Sequence, residues 1–129
     1  MASPKKPLTF LIVDDDIPLS IFFRDTLMHD DHRVFVAVNE HGALEVIKNE
    51  QIDILLCDLV LPGLDGTEII KAIKRQQKQT FCVLISGYHD QIFSDRIPKS
   101  AADLIIAKPI LKETLNSIVE QYLLIHPEK

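Results

Sequence analysis

This 129-residue sequence predicts a doubly wound α/β domain with a five-stranded parallel sheet and five helices. Two observations predict it. Short β-branched and leucine-rich runs alternate with segments of helical period, as parallel strands buried on both faces do. Three of those runs also end in charge. Thr9-Phe10-Leu11-Ile12-Val13 ends in Asp14-Asp15, Ile54-Leu55-Leu56-Cys57 in Asp58, and Leu104-Ile105-Ile106-Ala107 in Lys108-Pro109. Ligands of such sheets bind outside the carboxyl ends of the strands, so three carboxylates and one ammonium are expected at one edge. Like charges repel there, which calls for a cation and an anion bound between them.

The elements run in order along the chain. Residues 8–14 read as the first strand, and Pro18 opens a helix whose inner face is expected to include Ile21, Phe22 and Met28. An Asp30-Asp31 turn leads to a second strand over 33–38, and Asn39 or Glu40 starts helix two with Leu44 and Ile47 inward. Strand three covers 53–58. The segment Pro62-Gly63-Leu64-Asp65-Gly66 reads as a loop, with Asp65 capping helix three. That helix turns Ile69, Ile70 and Ile73 inward and Lys71, Lys74 and Arg75 outward. Strand four is 81–86, a short helix four covers 90–97 before Pro98, and strand five is 104–107. Helix five runs from 112 to 124 on Leu115, Ile118, Val119, Tyr122 and Leu123. Residues 1–7 read as a disordered leader, 8–125 as one domain and 126–129 as a tail.

Composition narrows the function. A formal charge of −5 argues against nucleic-acid binding by this domain. No apolar stretch approaches the ~20 residues of a membrane span, and the leader lacks the apolar core of an export signal. A cytoplasmic location is expected. Cys57 and Cys82 fall inside strands and read as reduced, buried thiols. The five histidines show no zinc spacing.

Asp14, Asp15 and Asp58 are hard oxygen ligands suited to Mg2+, with Asp16 left to cap the first helix. Lys108 can place a point charge on a phosphate oxygen, and a cis bond before Pro109 suits the tight exit from its strand. Ser86, ahead of Gly87, offers a hydroxyl at the end of strand four.

These motifs, Leu11-Ile12-Val13-Asp14-Asp15, Cys57-Asp58-Leu59-Val60-Leu61-Pro62-Gly63-Leu64-Asp65-Gly66, Ile85-Ser86-Gly87 and Ala107-Lys108-Pro109, resemble the receiver domain of two-component response regulators, over residues 8–124. The resemblance implies a flavodoxin-like receiver fold and no enzyme activity of its own. It implies phosphorylation of Asp58 from a phosphohistidine on a sensor histidine kinase or histidine phosphotransfer protein. It further implies Mg2+ on Asp15, Asp58 and the Val60 carbonyl, with Asp14 acting through water. Ser86 would contact the phosphoryl group and Lys108 would pair with it. Val60 and Tyr88 would govern access of water to it. A downstream protein effector is implied, as is homodimerisation through helix four, strand five and helix five. Receivers usually carry Tyr or Phe three residues before the lysine, where this chain has Ile105. An aspartate-nucleophile phosphohydrolase of the haloacid dehalogenase type is the alternative. It fits less well, because Val60 stands where such enzymes place a second Asp. A scaffold receiver that works without phosphorylation is the third reading.

Overall fold

The computed structural model describes residues 7–61, 64–87 and 102–128. Its order is β1 (Thr9–Val13), α1 (Ile17–His29), β2 (Arg33–Ala37), α2 (Glu40–Asn49), β3 (Ile54–Asp58), β4 (Val60–Leu61), β5 (Leu64–Asp65), α3 (Gly66–Gln76), β6 (Phe81–Ser86), β7 (Leu104–Ala107) and α4 (Lys112–Ile125). Five strands form one parallel sheet in the order β2-β1-β3-β6-β7. β1 and β3 are neighbours in it, so their carboxyl ends are adjacent, with Val13 beside Cys57 in register.

Strand alternation divides the core. Leu11, Val13, Leu55 and Cys57 face one side with Ile69, Ile70 and Ile73 of α3 and Ala43 and Ile47 of α2. Phe10, Ile12, Ile54 and Leu56 face the other, under Phe23 and Leu27 of α1 and Leu115, Ile118 and Tyr122 of α4. Helices on both faces account for the unbroken apolar runs of the central strands.

The structure corrects three expectations, and two others fall outside the described residues. Four helices are present among the described residues; the expected helix at 90–97, with Pro98, lies outside them, and the Asp65 cap rests on a side chain also outside them. On α1 the buried residues are Ser20, Phe23 and Leu27, whereas Ile21, Phe22 and Met28 are 42%, 40% and 54% exposed. The helical period permits either set, and contact with the sheet selects the 20/23/27 stripe. The segment expected to be a loop carries a two-residue antiparallel pair, Val60 with Asp65 and Leu61 with Leu64. Finally, β7 is not buried on both faces: it lies at the sheet edge, where Ile105 is 42% exposed.

Candidate functional site

Each charged residue reaches the sheet edge because its strand ends there. The Asp14 N–H donates to the Ala37 carbonyl (3.1 Å), so the β1–β2 ladder extends to Asp14. Asp16 then caps α1, its carboxylate accepting from the Leu19 N–H at 3.1 Å. This turn leaves Asp14 buried and Asp15 exposed. On β3, the Leu59 N–H donates to the Ile85 carbonyl (2.9 Å) and fixes the chain directly after Asp58. The Lys108 N–H donates to the Ser86 carbonyl (2.9 Å), which sets β7's exit beside β6, and the Lys108–Pro109 peptide is cis.

The result is one cluster. Carboxylate oxygens of Asp14, Asp15 and Asp58 lie within 4.8 Å of one another. The Lys108 ammonium is 3.4 Å from Asp58 Oδ2, and the Val60 N–H donates to Asp58 Oδ1 at 3.4 Å. Asp14 Oδ1 accepts from the Asp16 N–H (2.9 Å), whereas its Oδ2 is buried without a hydrogen-bond partner. Among the described residues no other buried side-chain nitrogen or oxygen lacks a partner.

The electrostatics reflect that crowding. Burial, reinforced by the Asp58 carboxylate, pushes the Asp14 carboxyl up to about 6, against the opposing pull of the Asp16 N–H and Lys108. At Lys108, burial favours loss of the proton, but the Asp58 and Asp14 carboxylates outweigh it and hold the ammonium above the usual lysine value. Three hard oxygen donors and an orphaned buried carboxylate oxygen fit a small divalent cation such as Mg2+.

The sequence model of the response regulator receiver domain matches residues 10–120. The chain belongs to that family. This receiver is 27% identical over 113 residues to sporulation initiation phosphotransferase F of Bacillus subtilis, covering 88% of this chain and 91% of that protein. It is 26% identical to transcriptional regulatory protein AfsQ1 of Streptomyces coelicolor, covering 89% of this chain but about half (51%) of that longer protein. A CheY-like receiver from Methanospirillum hungatei superposes with a TM-score of 0.82 at 26% identity, covering 96% of this chain and all of that one. Receivers are signalling domains rather than enzymes in their own right. Among the described residues no helix is long and apolar enough to cross a membrane.

The structure thus gathers Asp14, Asp15, Asp58 and Lys108 into one place, with Val60 beside them and 45% exposed. Ser86 stands at the end of β6, paired in register with Ala107 directly before Lys108. Ile105 pairs with Leu84 on the edge strand, two residues before Ala107. Tyr88 lies outside the described residues. Sequence reasoning missed two contributors. Ser20, one turn into α1, is buried and donates from its hydroxyl to the Asp14 carbonyl at 3.4 Å. Gly66 lies directly against the Asp58 main chain. Only the second left a signal, the Asp65-Gly66 pair at the end of the motif after Asp58.

Proposed function

We propose that this receiver accepts a phosphoryl group on Asp58 from a phosphohistidine, with Mg2+ as cofactor, and signals to a protein partner through the resulting change in shape. The observation that carries the reading is Asp14 Oδ2, buried without a partner beside two further carboxylates and a lysine. An edge left in that state is unfavourable unless a cation and an anion complete it. Asp14, Asp15 and Asp58, with the Val60 carbonyl, would hold Mg2+, which neutralises charge on the transferring phosphoryl oxygens.

The chain's own groups do the rest. An Asp58 carboxylate oxygen attacks phosphorus in line with the departing imidazole nitrogen, forming the P–O bond as the P–N bond breaks. Lys108, already beside Asp58 Oδ2, pairs with a phosphoryl oxygen, and the Ser86 hydroxyl donates to another. The donor would be a sensor histidine kinase or a histidine phosphotransfer protein. The B. subtilis relative, named a phosphotransferase and matched over nearly its whole length, supports a relay role of this kind. The edge strand β7, with Ile105 exposed on it, is where an effector or a second copy would read the switch.

Incubation with acetyl phosphate and Mg2+ tests this. Intact mass should rise by one phosphoryl group, and Asp58→Asn should prevent it. Labelling that persists at another carboxylate in Asp58→Asn would overturn the assignment. Omitting Mg2+ should stop the reaction in the wild type.

A further inference from the structure

We infer that Gly66 and Cys57 are positioning residues for Asp58, acting on its main chain from beneath the site; the inference rests on the phospho-acceptor reading above. The first residue of α3 seats on the peptide after the acceptor. A Cβ at position 66 would fall well inside van der Waals contact of the Asp58 carbonyl oxygen, 2.9 Å from its carbonyl carbon and 3.1 Å from Cys57 Sγ. Only glycine permits this approach, and it lets the Gly66 N–H donate to the Leu59 carbonyl at 2.6 Å. The peptide chain at 58–59 is therefore gripped from two sides, by Gly66 of α3 and by the Ile85 carbonyl of β6, which accepts from the Leu59 N–H.

Cys57 completes the grip. Its thiol is fully buried and lies 3.4 Å from the Asp58 carbonyl oxygen and 3.7 Å from the Gly66 carbonyl oxygen, within S–H donation distance of both. A sulfur of this size fills the space the absent Cβ leaves and gives a carbonyl at the β3–α3 junction a donor. The acceptor carboxylate projects from a backbone that cannot tilt without breaking these contacts. In-line transfer is sensitive to displacements well below an ångström, so this anchoring sets the rate rather than only the stability.

The test uses the full chain and two readouts. One is the initial rate of Asp58 phosphorylation by acetyl phosphate at saturating Mg2+. The other is the carbon-13 resonance of the Asp58 carboxyl in the metal-free protein at fixed pH. Gly66→Ala should move the resonance and slow transfer by about tenfold. Cys57→Ala should do both to a smaller degree, about threefold, and Cys57→Ser, which restores a donor, should recover most of the loss. Ile118→Val, a core change on the opposite side of the sheet, should lower the melting temperature while moving neither readout. An unmoved resonance in both Gly66→Ala and Cys57→Ala, or equal rates for Cys57→Ala and Cys57→Ser, would overturn the inference. If Gly66→Ala does not fold, the Cys57 pair decides. If the wild type itself takes no phosphate on Asp58, the functional reading fails, and the resonance alone judges the positioning.

Discussion

The two ends of the central sheet treat the same residue type in opposite ways. At the amino end, the Asp53 carboxylate accepts from the Thr9 N–H at 2.8 Å and the Tyr122 hydroxyl at 3.1 Å. Around it, Gln77 accepts from the Ile52 N–H and donates to the Ile47 and Glu50 carbonyls, and Thr80 donates to the Ile52 carbonyl. At the carboxyl end, Asp14 is more deeply buried, faces two other carboxylates and keeps one oxygen without a partner. One end is a satisfied network that holds strands, helices and connections together. The other is left incomplete, and that incompleteness makes it a site for charged ligands.

The largest expected effect lies at the satisfied end. Asp53→Ala strands the Thr9 N–H and the Tyr122 hydroxyl, and should cost about 3 kcal/mol in denaturant unfolding with no change in phosphorylation of the folded protein. A loss as small as that of an ordinary surface change would show that the amino end is not what holds the sheet. At the other end the sign reverses. Asp14→Asn keeps an oxygen for the Asp16 N–H and removes a buried charge, so the metal-free protein should gain about 2 kcal/mol at pH 7. Mg2+ should stabilise the wild type far more than this variant, and a metal-free variant that melts below wild type would end the contrast.

The smallest effect separates the two ends by pH. The Asp14 carboxyl is raised to about 6, so the stability linked to its proton is present below the ordinary carboxylate range and lost as pH rises through about 6. Taking the metal-free protein from pH 7 to 5 should therefore return about 1 kcal/mol at this site. His32, near the amino end, behaves oppositely. Burial lowers its value against the pull of Asp30, Asp31 and Asp53, and its Nδ1 accepts from the Leu8 N–H at 3.0 Å, so it must stay neutral. Its contribution is present above the ordinary histidine value and disappears as pH falls through its lowered one. Asp14→Asn should thus show only loss of stability on acidification, and His32→Gln only gain, in melts recorded across pH 4.5–7.5. Parallel curves for the two variants would refute the assignment.

Much of this was legible in the sequence because buried parallel strands carry their signal locally. The runs at 9–13, 54–58 and 81–86 are almost wholly apolar, and chain polarity alone brings the residues at their carboxyl ends to one edge. Asp14, Asp15, Asp58 and Lys108 could be placed together for that reason. Caps were equally local: Asp16 and Asn39 both accept from an N–H three residues on. The inner face of α1 was not legible, since its sequence carries apolar residues all round and only the sheet decides which ones it covers.

The sequence by itself determined the fold class, the order of the five sheet strands along the chain and the identity of the charged edge, because each depends on periodicity and on where a strand stops. Only the tertiary structure decided that β7 is an edge strand with Ile105 exposed, that Asp14 is the carboxylate left with an orphaned oxygen, that Asp53 is a structural acceptor, and that Gly66 must be glycine. Each of these depends on which segment arrives from elsewhere in the chain. Asp53 and Tyr122 are 69 residues apart, and the partners of Asp14 and Gly66 come from other elements of the fold. Burial and hydrogen-bond satisfaction are properties of such long-range neighbours, and local sequence pattern carries no information about them.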